Sequence, residues 1–104
     1  MTRLAFKMKL HKGKEAEYKR RHDEIWPELS ALLKSSGVSN YSIFLDDSDG
    51  SLFGVLEVSD PITFDLLPEQ PVMQKWWKYM ADIMDSNPDN SPVSVPLKEV
   101  FYLP

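Results

Sequence analysis

The order in which strand-like and helix-like patterns follow one another constrains this chain more than any other feature. Leu4, Phe6, Met8 and Leu10 alternate with Arg3, Ala5, Lys7 and Lys9. A period of two is what a half-buried strand requires, because successive side chains leave opposite faces. After Gly13 the spacing changes. Tyr18, His22, Ile25, Leu29 and Leu32 fall within one narrow arc when placed at helical intervals. Pro27 removes a backbone donor and disfavours helical geometry in Trp26, so the helix is expected to kink or restart there. Ser36-Gly37 supplies its stop.

Val38 to Leu45 reads as a second strand, with Tyr41, Ile43 and Leu45 on one parity and Val38, Asn40, Ser42 and Phe44 on the other. Asp46 to Gly50 is a hairpin turn, and Ser51 to Val58 returns as a third strand. Asp60-Pro61 resembles an N-cap followed by proline at the first helical position. That helix breaks at Pro68 and restarts at Pro71, where Met73, Trp76, Trp77, Met80, Ile83 and Met84 form an apolar stripe. Asn87 to Pro92 is a turn stiffened by two prolines. Val95, Leu97, Glu99, Phe101 and Leu103 then alternate as a final strand.

The sum is β-α-β-β-α-β, an α+β chain on the split βαβ or ferredoxin-like plan, with a four-stranded antiparallel sheet. No repeat or internal boundary divides residues 1–104, which are expected to form one domain. Both helices cover one face of such a sheet. The second, third and fourth strands nevertheless carry apolar side chains on both parities, so a face-to-face homodimer is the economical cover for the other face.

Composition narrows the function. The net charge of −4 argues against a nucleic-acid partner, which demands clustered excess Lys and Arg. The one basic run, Lys19-Arg20-Arg21, reads as a solvated helix face. The absence of cysteine excludes thiolate catalysis and cysteine-based metal sites, and it fits a cytosolic setting. No apolar span suits a signal peptide or a membrane helix. Two histidines and four scattered glycines offer neither a metal-ligand spacing nor a phosphate-cradling loop.

What remains is a histidine among aromatic rings. His22 can give and accept a proton near neutral pH. Tyr18 lies one turn before it and Trp26 one turn after. By itself such a histidine is more often a hydrogen-bonded core residue than a catalyst; Tyr18 and Trp26 beside it shift that balance, and His11 has no assigned role. Trp76 and Trp77 point about 100° apart on a helix, so one is expected to pack in the core while the other lines an opening. Indole faces stack on the C–H side of sugar rings. Tyr41 suits either a pocket or a sheet surface.

Tyr18 to His22, Ile25 to Leu29, Asn40-Tyr41, Gln74 to Met80, Asn87 to Pro92 and the terminal Glu99 to Pro104 closely resemble the L-rhamnose mutarotase family. The resemblance implies a cytoplasmic homodimer, a dimeric α/β barrel of ferredoxin-like protomers without a cofactor. The implied activity is interconversion of the α and β anomers of L-rhamnose or a related 6-deoxyhexose such as L-fucose. His22 is then the proton donor, and Tyr18, Tyr41, Trp76 and Trp77 contact the sugar. Two further readings stand beside it: a cofactor-independent oxygenase of the dimeric α/β-barrel class acting on an aromatic substrate, and a non-catalytic sugar-binding module that uses the same pocket.

Overall fold

The computed structural model describes residues 1–104 and shows four strands with broken helices laid over one side of their sheet. Strand β1 (Thr2–Lys9) leads into α1 (Glu15–Asp23) and α2 (Pro27–Ser35), then β2 (Val38–Asp46) and β3 (Ser51–Val58). Helix α3 (Pro61–Asp65), a 3-10 turn (Leu67–Glu69), α4 (Pro71–Met80) and β4 (Val95–Pro96) follow. The sheet order is β2-β3-β1-β4, antiparallel throughout, as the split βαβ plan requires.

The helix breaks fall where proline chemistry puts them. Trp26 is extended, at φ −60° and ψ 133°, and Pro27 opens α2. Two helices therefore stand where one arc is expected, yet Tyr18, Ile25, Leu29 and Leu32 of that arc all pack on the core. Gly37, at φ +87°, ends α2 in a conformation that glycine adopts freely. Asp60 caps α3 by accepting from the Ile62 N–H at 3.0 Å and the Thr63 hydroxyl at 2.7 Å.

Two strands differ from the sequence reading. In β2, Ser39 pairs with Glu57 but Ser42 pairs with Val55, so Asn40 and Tyr41 together oppose one residue of β3. This bulge, with Asn40 at φ +49°, reverses the parity midway. Val38, Tyr41, Ile43 and Leu45 consequently share the helix side, and Phe44 is left on the other. The mixed parity of β2 thus reflects a bulge as well as a second apolar face.

The final strand is also shorter than its alternation suggests. Only Val95 and Pro96 pair with β1, opposite Lys7 and Phe6, and the Leu97 N–H adds a bond to the Ala5 carbonyl. Pro96 has no N–H to contribute to the ladder. Beyond it the chain runs out exposed, with Arg3 lying 4.2 Å from the Tyr102 ring centroid.

The core lies between sheet and helices. Met8, Leu10 and Leu52 from the sheet meet Tyr18, Leu29, Trp76, Met80, Ile83 and Met84. A smaller group of Val38, Leu56, Val58 and Leu67 sits alongside, and Phe6, Leu33 and Met73 pack against both. Each fully buried leucine stabilises by about 1.5–3 kcal/mol. This packing fixes α1 and α4 against the sheet, which is what a site built between them needs.

Candidate active site

Helix α1 presents Tyr18 and His22 one turn apart on the side facing the sheet. Their rings stack with centroids 4.3 Å apart and planes inclined by 29°. Tyr18 is buried and His22 half-buried. The Nδ1 of His22 lies 3.0 Å from the Tyr18 carbonyl oxygen. A carbonyl only accepts, so Nδ1 carries the hydrogen and Nε2 is the free nitrogen.

Across from α1, Trp76 of α4 meets the imidazole edge to face, at 5.4 Å and 89°. Behind Trp76 stand Trp26, at 5.1 Å and near-perpendicular, and Tyr79, at 5.7 Å. These offset geometries are the ones aromatic quadrupoles favour. Trp76 is buried in the core, whereas Trp77 is half-buried and packs on the rim of the same cluster. The two indoles thus differ in burial, but both border the groove, and it is the buried Trp76 that touches His22.

Tyr41 enters from β2, aimed by the bulge. Its ring sits 6.2 Å from that of Phe6, edge to face. Phe6 in turn lies over Gly54, where an added Cβ would stand 2.5 Å from the ring. Gly54 is thus the seat that lets Phe6 lie low enough to support Tyr41. All five sequence-derived site residues border one groove of about 1900 Å³, to which Phe6 also contributes. Small-ligand sites usually occupy about 300–1,000 Å³, so one small ligand fills only part of it.

Arg21 is the residue the sequence reading missed. Lys19 and Arg20 are exposed as expected of a solvated face, but Arg21 is only 9% exposed. Its guanidinium donates to Glu17 at 2.7 Å, to the Tyr79 carbonyl at 2.6 Å and to Asp82 at 2.9 Å. It also lies 4.4 Å from the Tyr79 ring centroid. This fork ties α1 to the end of α4 and so holds His22 opposite Trp76. The one signal in the sequence was Glu17, four residues before Arg21; Asp82 is too distant to be guessed.

The electrostatics follow from burial. Burial pushes the His22 pKa below the ordinary histidine value, outweighing the bond to the Tyr18 carbonyl and the charge of Asp23. Burial raises the Tyr18 phenol and pushes the Tyr41 phenol up to about 12, although the Tyr41 residue keeps 40% of its surface exposed. Arg20 and then Arg21 hold the Glu17 carboxyl down to about 2. The site therefore offers one neutral imidazole with a free nitrogen, two protonated phenols and an indole wall. Such a set can relay a proton to a polyhydroxylated ligand and hold it by stacking and hydrogen bonds.

The model of the family described as L-rhamnose mutarotase matches residues 3–103. A protein of that name from Agrobacterium fabrum is 63% identical over 104 residues, covering all of this chain and 97% of the relative. Another from Acidiphilium cryptum is 60% identical over the full length of both. The crystal structure of L-rhamnose mutarotase from Formosa agariphila superposes with a TM-score of 0.93 at 55% identity, covering both chains completely. Sequence, fold and length agree from one end to the other: the chain belongs to the L-rhamnose mutarotase family.

Proposed function

We propose that this protein interconverts the α and β anomers of L-rhamnose, with His22 protonating the ring oxygen and Tyr18, Tyr41, Trp76 and Trp77 holding the sugar. Family membership supports the activity. One observation carries the residue roles: a half-buried imidazole, with one nitrogen free, borders a groove walled by phenol and indole rings.

Opening the pyranose requires a proton on the ring oxygen and loss of one from the anomeric hydroxyl. The aldehyde carbon then turns and the ring recloses on its other face. A positioned acid or base of near-neutral pKa contributes roughly 10²–10⁴-fold to such a step. Fixing the sugar against the rings adds orientation. The indole faces suit the C–H side of the sugar, and the phenols, protonated at neutral pH, supply hydroxyl hydrogen bonds.

The working unit in this reading is a homodimer in the cytoplasm, two sheets closing face to face into a barrel. The exposed apolar side chains on the helix-free face, Phe44, Val95 and Leu97, support it. No helix is long and apolar enough to cross a membrane.

The test is NMR of anomeric proton exchange, with L-rhamnose, L-fucose and D-glucose compared side by side. Acceleration is expected to be greatest with L-rhamnose, and His22→Ala is expected to lose roughly 10²–10⁴-fold with its circular dichroism unchanged. Faster exchange of L-fucose would replace the sugar. Undiminished exchange in the variant would remove His22 from the chemistry. Oxygen uptake without exchange would mark an oxygenase instead.

A further inference from the structure

Ring opening removes a proton from the anomeric oxygen and delivers one to the ring oxygen. Both oxygens are bonded to the same carbon, so they lie closer together than a hydrogen bond is long. Two side chains are the usual way to serve two such atoms, and the groove offers few candidates for the second.

The groups around His22 can be taken in turn. From α1 come Tyr18, whose phenol is raised by burial, Asp23, which is exposed and held by Lys19 at 2.9 Å, and Glu15, which borders the groove half-buried but stands two helical turns, about 10 Å, from His22. From α3, Asp65 stands exposed on the groove. From β2 comes Tyr41, its phenol pushed up to about 12. From α4, Trp76 carries an indole N–H that donates only, and Lys75 and Lys78 stand exposed on the groove. From the 87–92 turn, Asp89 borders the groove, but its carboxylate accepts from the Ser91 N–H at 3.0 Å. Of these, Tyr18 and Trp76 are the ones packed on the imidazole; the buried phenol stays protonated and the indole N–H donates only, so neither is a free base beside it.

His22 itself has one nitrogen committed and one free. Nδ1–H is occupied by the Tyr18 carbonyl in both charge states of the ring. We infer that Nε2 of His22 serves as both base and acid, taking the anomeric proton and handing it to the ring oxygen within a single opening event. This rests on the mutarotase reading above and deepens it.

The step balances without a second residue. The O–H bond of the anomeric hydroxyl breaks as the Nε2–H bond forms, and the freed pair makes the carbonyl. The bond from the anomeric carbon to the ring oxygen breaks, its pair leaves with that oxygen, and the oxygen takes the proton from Nε2. After the aldehyde turns, the same moves in reverse close the ring on its other face. The imidazole ends neutral, as it began, and nothing is consumed. A group parked beside the ring oxygen reaches the anomeric oxygen of either anomer. A base fixed on one side of the sugar would favour only one. The order follows from the free nitrogen: an unprotonated Nε2 acts first as the base.

The deciding measurement is the pH dependence of kcat/KM for L-rhamnose exchange in the wild type, Tyr18→Phe and Tyr41→Phe. A single histidine shuttle gives one limb, activity falling as pH drops through the depressed His22 pKa, and a plateau above it. The tyrosine variants raise KM and keep that shape. A tyrosine acting as the partner acid or base would instead lose roughly 10²–10⁴ in kcat with its hydroxyl. An alkaline limb in the wild type that vanishes or moves in either tyrosine variant overturns the shuttle. His22→Ala supplies a second arm with 1-methylimidazole, which has one proton-accepting nitrogen and no N–H. Saturable rescue supports the shuttle, and rescue by imidazole but not by its methyl derivative overturns it. A wild type that leaves L-rhamnose exchange at its uncatalysed rate defeats the mutarotase reading itself, a failure distinct from any of these.

Discussion

The two faces of the sheet are built from the same strands and meet different fates. On the helix side, Met8, Leu52, Leu56 and Val58 are almost wholly buried, and Phe6 and Tyr41 are set edge to face in the groove. On the other side Phe53 and Val55 are half-buried, while Phe44, Val95 and Leu97 are 62%, 55% and 40% exposed. Lys7 and Arg3 lie over the rings of Phe53 and Tyr102 there, long stems covering apolar surface that no helix reaches. The contrast separates two jobs. One chain suffices to seat the imidazole among its aromatic neighbours, because every residue touching His22 comes from the helix side. The helix-free side keeps its apolar side chains exposed in a single chain.

The largest effect that probes this division comes from the two adjacent indoles. Trp76 is 7% exposed and joins the core to His22, so Trp76→Ala is expected to cost about 3–5 kcal/mol in stability. Trp77 is half-buried on the rim, and Trp77→Ala is expected to cost under about 2 kcal/mol while still weakening sugar binding. Urea midpoints at unchanged m-value separate the two. Equal losses would mean that the helix side does not divide core from binding surface as its burial indicates.

Much of this division was legible in the residues, and its gaps have physical causes. The β1 alternation named its inward set, since a strand with one wet face must alternate. The proline positions named the helix breaks, because no tertiary contact restores a missing N–H. Tyr18 and His22 were paired by helical spacing alone, whereas the roles of Tyr41 and the indoles came from the family resemblance. The bulge was not legible: one extra residue reverses the facing of everything after it, and only the unusual φ of Asn40 marks the place. The short β4 was hidden because alternation persists through Leu103 while hydrogen bonding stops near Pro96. Arg21 was hidden because a buried guanidinium is betrayed by its partners, and Asp82 lies 61 positions away.

A smaller effect tests how tightly the helix side is fitted. Gly54→Ala places a methyl 2.5 Å from the Phe6 ring, in a strand interior where the backbone cannot retreat. Overpacking of this kind costs about 1–3 kcal/mol. Phe6 relieves the clash by rising toward Tyr41, so KM for the sugar is expected to rise more than kcat falls. Gly13→Ala is the control. A Cβ there has nothing within 4 Å, and its φ of +82° makes any cost one of backbone strain, away from the groove. An unchanged KM in Gly54→Ala would show that Phe6 does not support the sugar site.

The smallest effect on the chain's own fold is expected on the opposite face. Phe44 follows Ile43 directly, yet the two point to opposite sides of β2. At 62% exposure, Phe44 gives up little within one chain, so Phe44→Lys is expected to change monomer stability by no more than about 0.5 kcal/mol. In a face-to-face dimer the same change sets an ammonium against a facing apolar surface. The dimer dissociation constant is then expected to rise at least about tenfold, roughly 1.4 kcal/mol. Sedimentation equilibrium reads this directly. The unfolding temperature supplies a second reading, because only a protein stabilised by association melts higher at higher concentration. Wild type should show that dependence and Phe44→Lys should lose it, while both retain the same circular dichroism. A variant that stays dimeric would place the contact between copies elsewhere and leave the exposed face of the sheet to another partner.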